Sequence, residues 1–329
     1  MRSVKLYLYQ LPMDSGVILR DEKLTERVGY VVELNDGSRQ GRGEIAPLPG
    51  FSHESLDSLY QVVIDACKSW VATGEFHLTE LPASAAFGLS IAQMELSGLL
   101  PDEGNYQAAP LCAGDPDELL PVLEKMTGGK VAKIKVGLYE PIRDGMIVNL
   151  FLESIPELKL RLDANRAWTL DKARKFADYI APSLRRRISF LEEPCQQPSD
   201  SLTFAIETGI AIAWDETLQD AVKKPDFRLE DLTGAKSVVI KPTLIGSVES
   251  CIALIEKAHA LGIRPVLSSS LESSLGLTQI ARLAAWQTPM VTPGLDTIGL
   301  FQRQLEVAWP GCELPLDTLQ AHSLIWQSK

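Results

Sequence analysis

The chain has 329 residues and a formal net charge of −11, a charge that would repel a nucleic-acid backbone or an anionic membrane surface. Its length suits a barrel of about 200–250 residues together with a smaller domain. Hydrophobic residues make up 45 % of the chain, but no apolar run is long enough to span a bilayer. We therefore expect a small anionic substrate and neither a nucleic-acid nor a membrane partner.

The five cysteines are odd in number and form no C-x-x-C pair, a pattern that is typical of reduced thiols in a cytoplasm. The four histidines lie far apart in sequence, so a histidine-rich zinc site is not expected. The first residues alternate as in a strand and lack the apolar region of a signal peptide. We expect a cytoplasmic protein that is a monomer or a weak homo-oligomer.

Residues 1–103 lack a strand–helix repeat and predict an α+β domain. Alternating segments at 4–9 and 29–34 predict an antiparallel sheet. Apolar residues at helical spacing predict two helices, near 55–72 and 84–99.

From about residue 108 onward, short apolar strands alternate with amphipathic helices. The helix predicted at 247–261 is an example, since it starts at a capping Ser247 and ends before Gly262. Strands are predicted at 131–136, 159–163, 188–192, 210–215, 237–241 and 264–268. The alternation predicts a parallel sheet, and the number of repeats favours a closed barrel over 104–300, with an open sheet as the alternative. Residues 301–329 form a separate C-terminal segment.

Ionisable residues end five of these strands: Lys135, Asp163, Glu192, Asp215 and Lys241. Successive members are 23 to 29 residues apart, which is close to one strand–helix unit. In a parallel barrel such residues all lie on the C-terminal rim, where barrel enzymes carry their catalytic groups.

Asp163, Glu192 and Asp215 would converge from successive strands, repel one another and raise each other's pKa. A hard divalent cation such as Mg²⁺ relieves this repulsion and prefers carboxylate oxygens. Each acid taken alone is also a common helix cap. Three acids in phase on adjacent strands favour the metal site.

Lys133 and Lys135 are two apart on one strand, so both side chains point to one face. Two ammonium groups so close would lower the pKa of at least one, which could then act as a general base. Lys241 would stand across the barrel. The alternative is an exposed edge strand. A metal with opposed lysines matches the established pattern of enolase-type sites, which remove the α-proton of a carboxylate.

Five short motifs together resemble the enolase superfamily in its muconate-lactonising subgroup. They are Lys133-Ile134-Lys135, Asp163-Ala164-Asn165, Glu192-Glu193-Pro194, Trp214-Asp215-Glu216 and Ile240-Lys241-Pro242. Within that subgroup, residues 133–140, 160–168 and 268–274 are similar to the o-succinylbenzoate synthase family of menaquinone biosynthesis. The resemblance implies a (β/α)7β TIM-like barrel, with residues 1–103 as its capping domain and residues 301–329 packing back on that domain.

The resemblance also implies a reaction, the syn dehydration of 2-succinyl-6-hydroxy-2,4-cyclohexadiene-1-carboxylate to o-succinylbenzoate through a metal-stabilised enediolate. Lys135 would remove the α-proton and then protonate the departing hydroxide, Lys133 would tune Lys135, and Lys241 would oppose the enediolate charge. Asp163, Glu192 and Asp215 would bind Mg²⁺, with Mn²⁺ as an alternative cation. Glu193 and Asn165 would lie behind these ligands, although Asn165 is equally typical of a turn.

Substrate contacts are expected from Arg161, Ser268, Ser270 and backbone amides near Gly294, with an ion pair as the alternative role of Arg161. Loops 12–21 and 43–54 would cover the substrate. The main competing function is an N-succinylamino acid racemase or dipeptide epimerase on the same scaffold. A Schiff-base aldolase leaves the three carboxylates unexplained, and a non-catalytic binding protein leaves the lysines unexplained.

Overall fold

The computed structural model describes residues 1–14, 17–19, 22–107, 109–112, 115–126, 130–232 and 234–328. Residues 15, 16, 20 and 21 of the predicted loop 12–21 lie outside the described residues.

The strands are β1 (Ser3–Pro12), β2 (Ile18–Leu19), β3 (Glu22–Lys23), β4 (Glu26–Asn35), β5 (Gln40–Ile45), β6 (Leu111–Cys112), β7 (Val131–Lys135), β8 (Lys159–Asp163), β9 (Ile188–Glu192), β10 (Ile212–Trp214), β11 (Ser237–Ile240), β12 (Arg264–Leu267), β13 (Gln304–Leu305), β14 (Leu316–Asp317) and β15 (Ser323–Gln327). The helices are α1 (Leu56–Thr73), α2 (Ala83–Ser97), α3 (Pro116–Glu124), α4 (Pro141–Ser154), α5 (Leu170–Asp178), α6 (Pro182–Arg185), α7 (Pro198–Thr208), α8 (Glu216–Ala221), α9 (Pro242–Ile245), α10 (Val248–Ala260) and α11 (Ser274–Gln287).

The predicted elements are confirmed to within a few residues. Ser247 precedes α10 as expected, since its hydroxyl accepts a hydrogen bond from the Ser250 amide at 3.2 Å. Gly262 follows that helix with a left-handed backbone, at φ 70°. None of the described helices is both long and apolar enough to cross a bilayer.

The chain divides into two compact units by its internal contacts. The first comprises residues 1–108, 240–256 and 267–329, and the second comprises residues 109–239 and 257–266. The first unit contains an antiparallel sheet in the order β15-β1-β4-β5. Its core joins apolar residues of β1 and β4 to α1 and α2, with Trp70 and Leu89 among the buried side chains. Gly43 of β5 lies so close to α2 that a Cβ would be 1.8 Å from the Gly88 carbonyl oxygen.

The second unit contains most of a seven-stranded sheet whose order, β12-β11-β10-β9-β8-β7-β6, follows the chain. Each neighbouring pair from β6 to β11 is parallel. In β8, Leu160 and Leu162 are fully buried, and Arg161 and Asp163 therefore share the opposite face. Neighbouring strands joined by helices put the carboxyl ends of the strands on one edge.

Candidate metal centre and active site

Three of the predicted residues occupy one rung of the parallel sheet. Lys135 pairs with Asp163 across β7 and β8, and Asp163 pairs with Glu192 across β8 and β9. Glu192 pairs in turn with Ala213 of β10, and Asp215 follows two residues later. The structure therefore brings Lys135 and the three predicted ligands to the carboxyl edge of adjacent strands.

Lys133 lies among these carboxylates. Its Nζ is 2.9 Å from Asp163 Oδ2 and 2.7 Å from Glu192 Oε2. Burial lowers the pKa of Lys133, but the charges of Asp163, Glu192 and Asp215 outweigh burial and raise it above the ordinary value. The expected lowering of a lysine pKa does not hold for Lys133, because its nearest charged groups are acids and not Lys135.

The acids themselves are crowded. Burial raises the pKa of Glu192 to about 8, and Asp163 and Asp215 add to this rise while Lys133 opposes it. Among the described residues, no group of three or more His, Cys, Asp or Glu side chains already has an arrangement that could hold a metal ion. The donor set nevertheless suits a hard divalent cation, because it supplies three carboxylates, and Lys133 bonds to two of them.

Two neighbours behind these acids have distinct contacts. Asn165 donates its backbone N–H to Asp163 Oδ1 at 3.1 Å, whereas its side-chain amide donates to Glu216 at 3.4 Å. Glu193 is 1 % exposed, and its Oε1 accepts from the backbone amides of Asp215 and Thr217 at 3.0 and 2.8 Å. Glu193 thus bonds to the backbone on both sides of Glu216 and fixes the start of α8.

Gln219 is a neighbour of the site that sequence reasoning missed. It is buried, and its Nε2 donates to Asp215 Oδ1 at 2.5 Å. It lies four residues after Asp215 on α8, so helical spacing could have indicated the contact. Its hydrogen bond orients the carboxylate that the sequence predicts as a ligand.

The side chain of Arg161 is buried beside the aromatic ring of Phe190. Its side chain is 6 % exposed, its guanidinium lies 5.4 Å from the ring centroid of Phe190, and its Nε has no hydrogen-bond partner among the described residues. Burial lowers the pKa of Arg161 to about 10, with Glu192 opposing and Arg264 reinforcing the shift. Both expected roles of Arg161, a substrate contact and an ion pair, stay predictions.

The first unit contains the remaining predicted residues. Ser268 and Gly294 form a parallel bridge beyond β12, and the Ser268 hydroxyl donates to the Gly294 carbonyl at 3.2 Å. The Gly294 amide already donates to the Leu267 carbonyl at 2.8 Å, so it is occupied within the protein. Ser270 is 2 % exposed, and its hydroxyl has no hydrogen-bond partner among the described residues. The Ser270 hydroxyl therefore keeps its proton available to a ligand, whereas the Ser268 hydroxyl and the Gly294 amide already donate within the protein.

Lys241 ends β11 and precedes α9. Its Nζ lies 5.9 Å from the ring centroid of Phe51, which belongs to the predicted substrate-covering loop 43–54. Two residues later, Thr243 donates its hydroxyl to Glu272 Oε1 at 2.8 Å. Glu272 Oε2 accepts from the Ser270 amide at 2.6 Å. Glu272 therefore joins the end of β11 to the turn that carries Ser270.

Arg27 of β4 is a second connection that the sequence did not reveal. It is 1 % exposed and donates to the carbonyls of Pro47 and Ala46 at 2.7 and 2.6 Å. Its Nε donates to the Leu271 carbonyl at 2.9 Å. Because these partners are 19 to 244 residues away in sequence, no local pattern could have indicated them. Arg27 fixes loop 43–54 against the turn after β12.

The chain matches two family models, "MenC, N-terminal domain" over residues 1–96 and "Enolase C-terminal domain-like" over residues 122–307. It is 63 % identical over 329 residues to the o-succinylbenzoate synthase of Vibrio cholerae serotype O1 (strain M66-2), covering 100 % of this chain and 99 % of the relative. It is 57 % identical over 328 residues to the o-succinylbenzoate synthase of Aliivibrio fischeri (strain MJ11), covering all of both chains.

Solved structures agree with these matches. The o-succinylbenzoate synthase of Thermosynechococcus elongatus BP-1, complexed with Mg in its active site, is 27 % identical with a TM-score of 0.69. The match covers 88 % of this chain and 92 % of that one. An L-Ala-D/L-Glu epimerase matches in fold, with a TM-score of 0.72 at 21 % identity over 94 % of this chain and 96 % of that one. The predicted fold class, a TIM-like barrel with an N-terminal capping domain, is confirmed.

Proposed function

Because the chain belongs to the o-succinylbenzoate synthase family of the enolase superfamily, we propose that it dehydrates 2-succinyl-6-hydroxy-2,4-cyclohexadiene-1-carboxylate to o-succinylbenzoate in menaquinone biosynthesis. Family membership makes the chain a carbon–oxygen lyase. The observation that carries the proposed mechanism is the single rung of Lys135, Asp163 and Glu192 across three parallel strands. This alignment supports the proposal, because the proposed base Lys135 neighbours the proposed ligand Asp163 in the sheet.

Members of the superfamily that carry this enzyme name depend on a divalent metal, and the neighbour from Thermosynechococcus elongatus carries Mg. We propose that Asp163, Glu192 and Asp215 hold Mg²⁺ here, with Mn²⁺ as a functional substitute. When bound, the cation would supply positive charge against the charge that develops on the substrate carboxylate. Asn165, through its backbone amide, and Glu193 would keep the ligands in place.

The proposed proton transfers belong to the lysines. Neutral Lys135 removes the proton on the carbon that bears the carboxylate and becomes an ammonium. The electron pair then expels the ring hydroxyl as hydroxide, and the Lys135 ammonium returns its proton to give water. The ring becomes aromatic, and no oxidant or reductant is needed. The positive charge of Lys241 would stabilise the enediolate. Lys133, on the same face of β7 as Lys135, would influence Lys135 electrostatically while it bonds to two of the acids.

Substrate contacts are proposed for Arg161, Ser268 and Ser270, with Gly294 shaping the site through its close approach to Ser268. A Cβ at position 294 would lie 2.8 Å from Ser268 Oγ, so a larger residue there would have to displace the Ser268 hydroxyl. Arg161 and Ser270 each have a buried polar atom with no hydrogen-bond partner in the described part of the chain, and a substrate carboxylate would satisfy it. Loop 43–54 would exclude water from the substrate, and the ring of its Phe51 lies 5.9 Å from Lys241 Nζ.

The proposal also covers the substrate class, the oligomeric state and the cellular location of the enzyme. Its substrate is a small anionic molecule. We propose a monomer or weak homo-oligomer in the cytoplasm. The cytoplasmic location is supported by an odd number of cysteines that form no C-x-x-C pair.

The decisive assay follows the ultraviolet absorbance of the cyclohexadiene substrate with purified protein, with and without EDTA, and then with Mg²⁺ restored. Loss of diene absorbance that stops with EDTA and returns with Mg²⁺ is expected. No turnover under any of these conditions would refute the proposed reaction. N-succinylamino acids and dipeptides would then be tested for racemisation or epimerisation, because that chemistry uses the same two opposed lysines.

A further inference from the structure

Three residues with left-handed backbone follow two adjacent strands. Asn165 and Arg166, after β8, have φ values of 45° and 58°, and Glu193, after β9, has a φ of 40°. This region is unfavourable for most residues other than glycine, although asparagine tolerates it better, and such a backbone persists only where surrounding contacts hold it. These three residues lie at the edge of the sheet that carries the three predicted ligands. Their left-handed backbone indicates that both turns are tightly constrained.

The two turns are bonded directly to each other. The Arg166 amide donates to the Glu193 carbonyl at 2.7 Å, and the Ala164 amide donates to the Glu192 carbonyl at 3.2 Å. The Trp168 amide, further along the first turn, donates to the Pro194 carbonyl at 3.3 Å. Backbone hydrogen bonds therefore hold the segment after Asp163 to the segment after Glu192.

The Arg166 side chain extends this connection to the third strand. Its Nε donates to Glu193 Oε2 at 3.1 Å, and its Nη2 donates to the Thr217 hydroxyl at 2.9 Å. The Thr217 hydroxyl donates in turn to Glu193 Oε2 at 2.9 Å. Asp220 lies 3.5 Å from Arg166 Nη1. Since Glu193 also accepts the amides of Asp215 and Thr217, one carboxylate and one guanidinium join the turns after β8, β9 and β10.

We propose that Arg166 is a positioning residue, which holds Asp163, Glu192 and Asp215 at the separations that a divalent cation requires. It acts through Glu193 and Thr217 and does not touch the cation. This inference rests on the proposed magnesium site. Residues behind metal ligands orient those ligands, and their loss typically weakens metal affinity by about 10- to 100-fold.

Arg166 has a second, electrostatic part in this role. Glu193 is a fourth carboxylate immediately after the ligand Glu192, and a divalent cation would attract it. Paired with Arg166, Glu193 keeps both oxygens directed at the guanidinium, the Thr217 hydroxyl and the backbone amides. Without that arginine, the buried Glu193 carboxylate would lose its counter-charge and could rotate toward the cation.

The test measures cation binding and not turnover. Mn²⁺ is titrated into the full-length protein without substrate, and the unbound ion is followed by electron paramagnetic resonance. We expect Arg166→Met to weaken Mn²⁺ affinity by about 10-fold or more. The side chain of Arg166 is 31 % exposed, so its removal does not open the core. The circular dichroism spectrum should match that of the unmodified protein.

Arg174→Met is the matched control. Arg174 lies on α5 of the same unit and also pairs with two acids, Glu207 and Asp171, but these contacts lie on the surface. Its replacement removes an arginine with two acidic partners and should leave Mn²⁺ affinity unchanged. A decrease of equal size in both variants would overturn the inference, because it would reflect lost charge and not positioning.

Two further variants keep the inference open to refutation. Arg166→Lys retains the charge but cannot span both Glu193 and Thr217, so its affinity should lie between those of Met and Arg. Thr217→Val removes the hydroxyl that bridges Arg166 and Glu193, and should weaken binding in the same direction even if Arg166→Met does not fold. Unaltered Mn²⁺ affinity in the folded variants would overturn the inference alone. Failure of the unmodified protein to bind Mn²⁺ would overturn the proposed metal site, and the inference with it.

Discussion

The buried carboxylate of Glu44 offers a sharp test of how the first unit is held together. Glu44 ends β5 at 2 % exposure, and four donors surround its two oxygens. Oε1 accepts from the Tyr9 hydroxyl at 2.5 Å and from the Ser273 amide at 3.0 Å. Oε2 accepts from the Ser273 hydroxyl at 2.5 Å and from the Gly276 amide at 3.0 Å. The carboxylate thereby caps the N-terminus of α11.

We predict that Glu44→Gln destabilises the protein by about 2 to 3 kcal/mol. Each carboxylate oxygen faces one hydroxyl and one backbone N–H. A glutamine places its NH₂ at one of these positions, where the hydroxyl can turn and accept but the backbone N–H cannot. One buried N–H then loses its acceptor, at a cost of about 1–3 kcal/mol. Loss of the negative charge at the helix N-terminus adds about 0.3–2 kcal/mol.

An opposing effect keeps the predicted destabilisation in the lower half of the range that these two costs span together. Burial raises the pKa of Glu44, against the hydrogen bonds from Ser273 and Tyr9, so the charged form has a desolvation cost that glutamine avoids. At about 2 °C per kcal/mol for a chain of this size, the melting temperature should fall by about 4–6 °C.

Differential scanning calorimetry on the unmodified protein, Glu44→Gln and Glu26→Gln measures this difference. Glu26 is an exposed residue of β4, and its replacement should change stability by less than about 0.5 kcal/mol. A melting temperature for Glu44→Gln within 1 °C of the unmodified protein would refute the reasoning, because it would mean that the four hydrogen bonds merely offset the burial of the charge.

Three further predictions concern the base, a ligand and a histidine. Lys135→Ala should lower turnover by about 10²- to 10⁴-fold with an unchanged circular dichroism spectrum, and retained turnover would remove the assigned base. Asp215→Asn should weaken Mn²⁺ binding by about 10-fold or more in a paramagnetic resonance titration, and an unchanged affinity would argue against that ligand. Burial lowers the pKa of His322, with Asp317 opposing and Arg303 reinforcing, so its protonation favours unfolding and stability should fall as pH drops below about 6.5. The melting temperature between pH 7.5 and 5.5 should fall less in His322→Asn than in the unmodified protein, whereas His77→Asn, at an exposed position, should show the full fall.

The helices, the strands and the ionisable residues at the strand ends could all be predicted from the sequence. Alternating strands and helices of nearly constant spacing require parallel strands, and a side chain at the end of such a strand has only one edge to occupy. The bounds of β8 and β9 and the alignment of Lys135, Asp163 and Glu192 follow from these local rules. The family was also evident, because the motifs are short and local.

Which side chains contact these residues depends on the packing of the whole chain. Lys133 bonds to Asp163 and Glu192, which lie on two other strands, so its pKa rises, whereas the sequence predicted only that one of Lys133 and Lys135 would have a lowered pKa. Arg166 and Glu193 are held in left-handed backbone by each other, although neither residue prefers that conformation. Glu44 and Ser273 lie 229 residues apart. Local periodicity specifies which face a residue occupies, but hydrogen bonds over such separations depend on how the whole chain packs, and no pattern in the sequence records them.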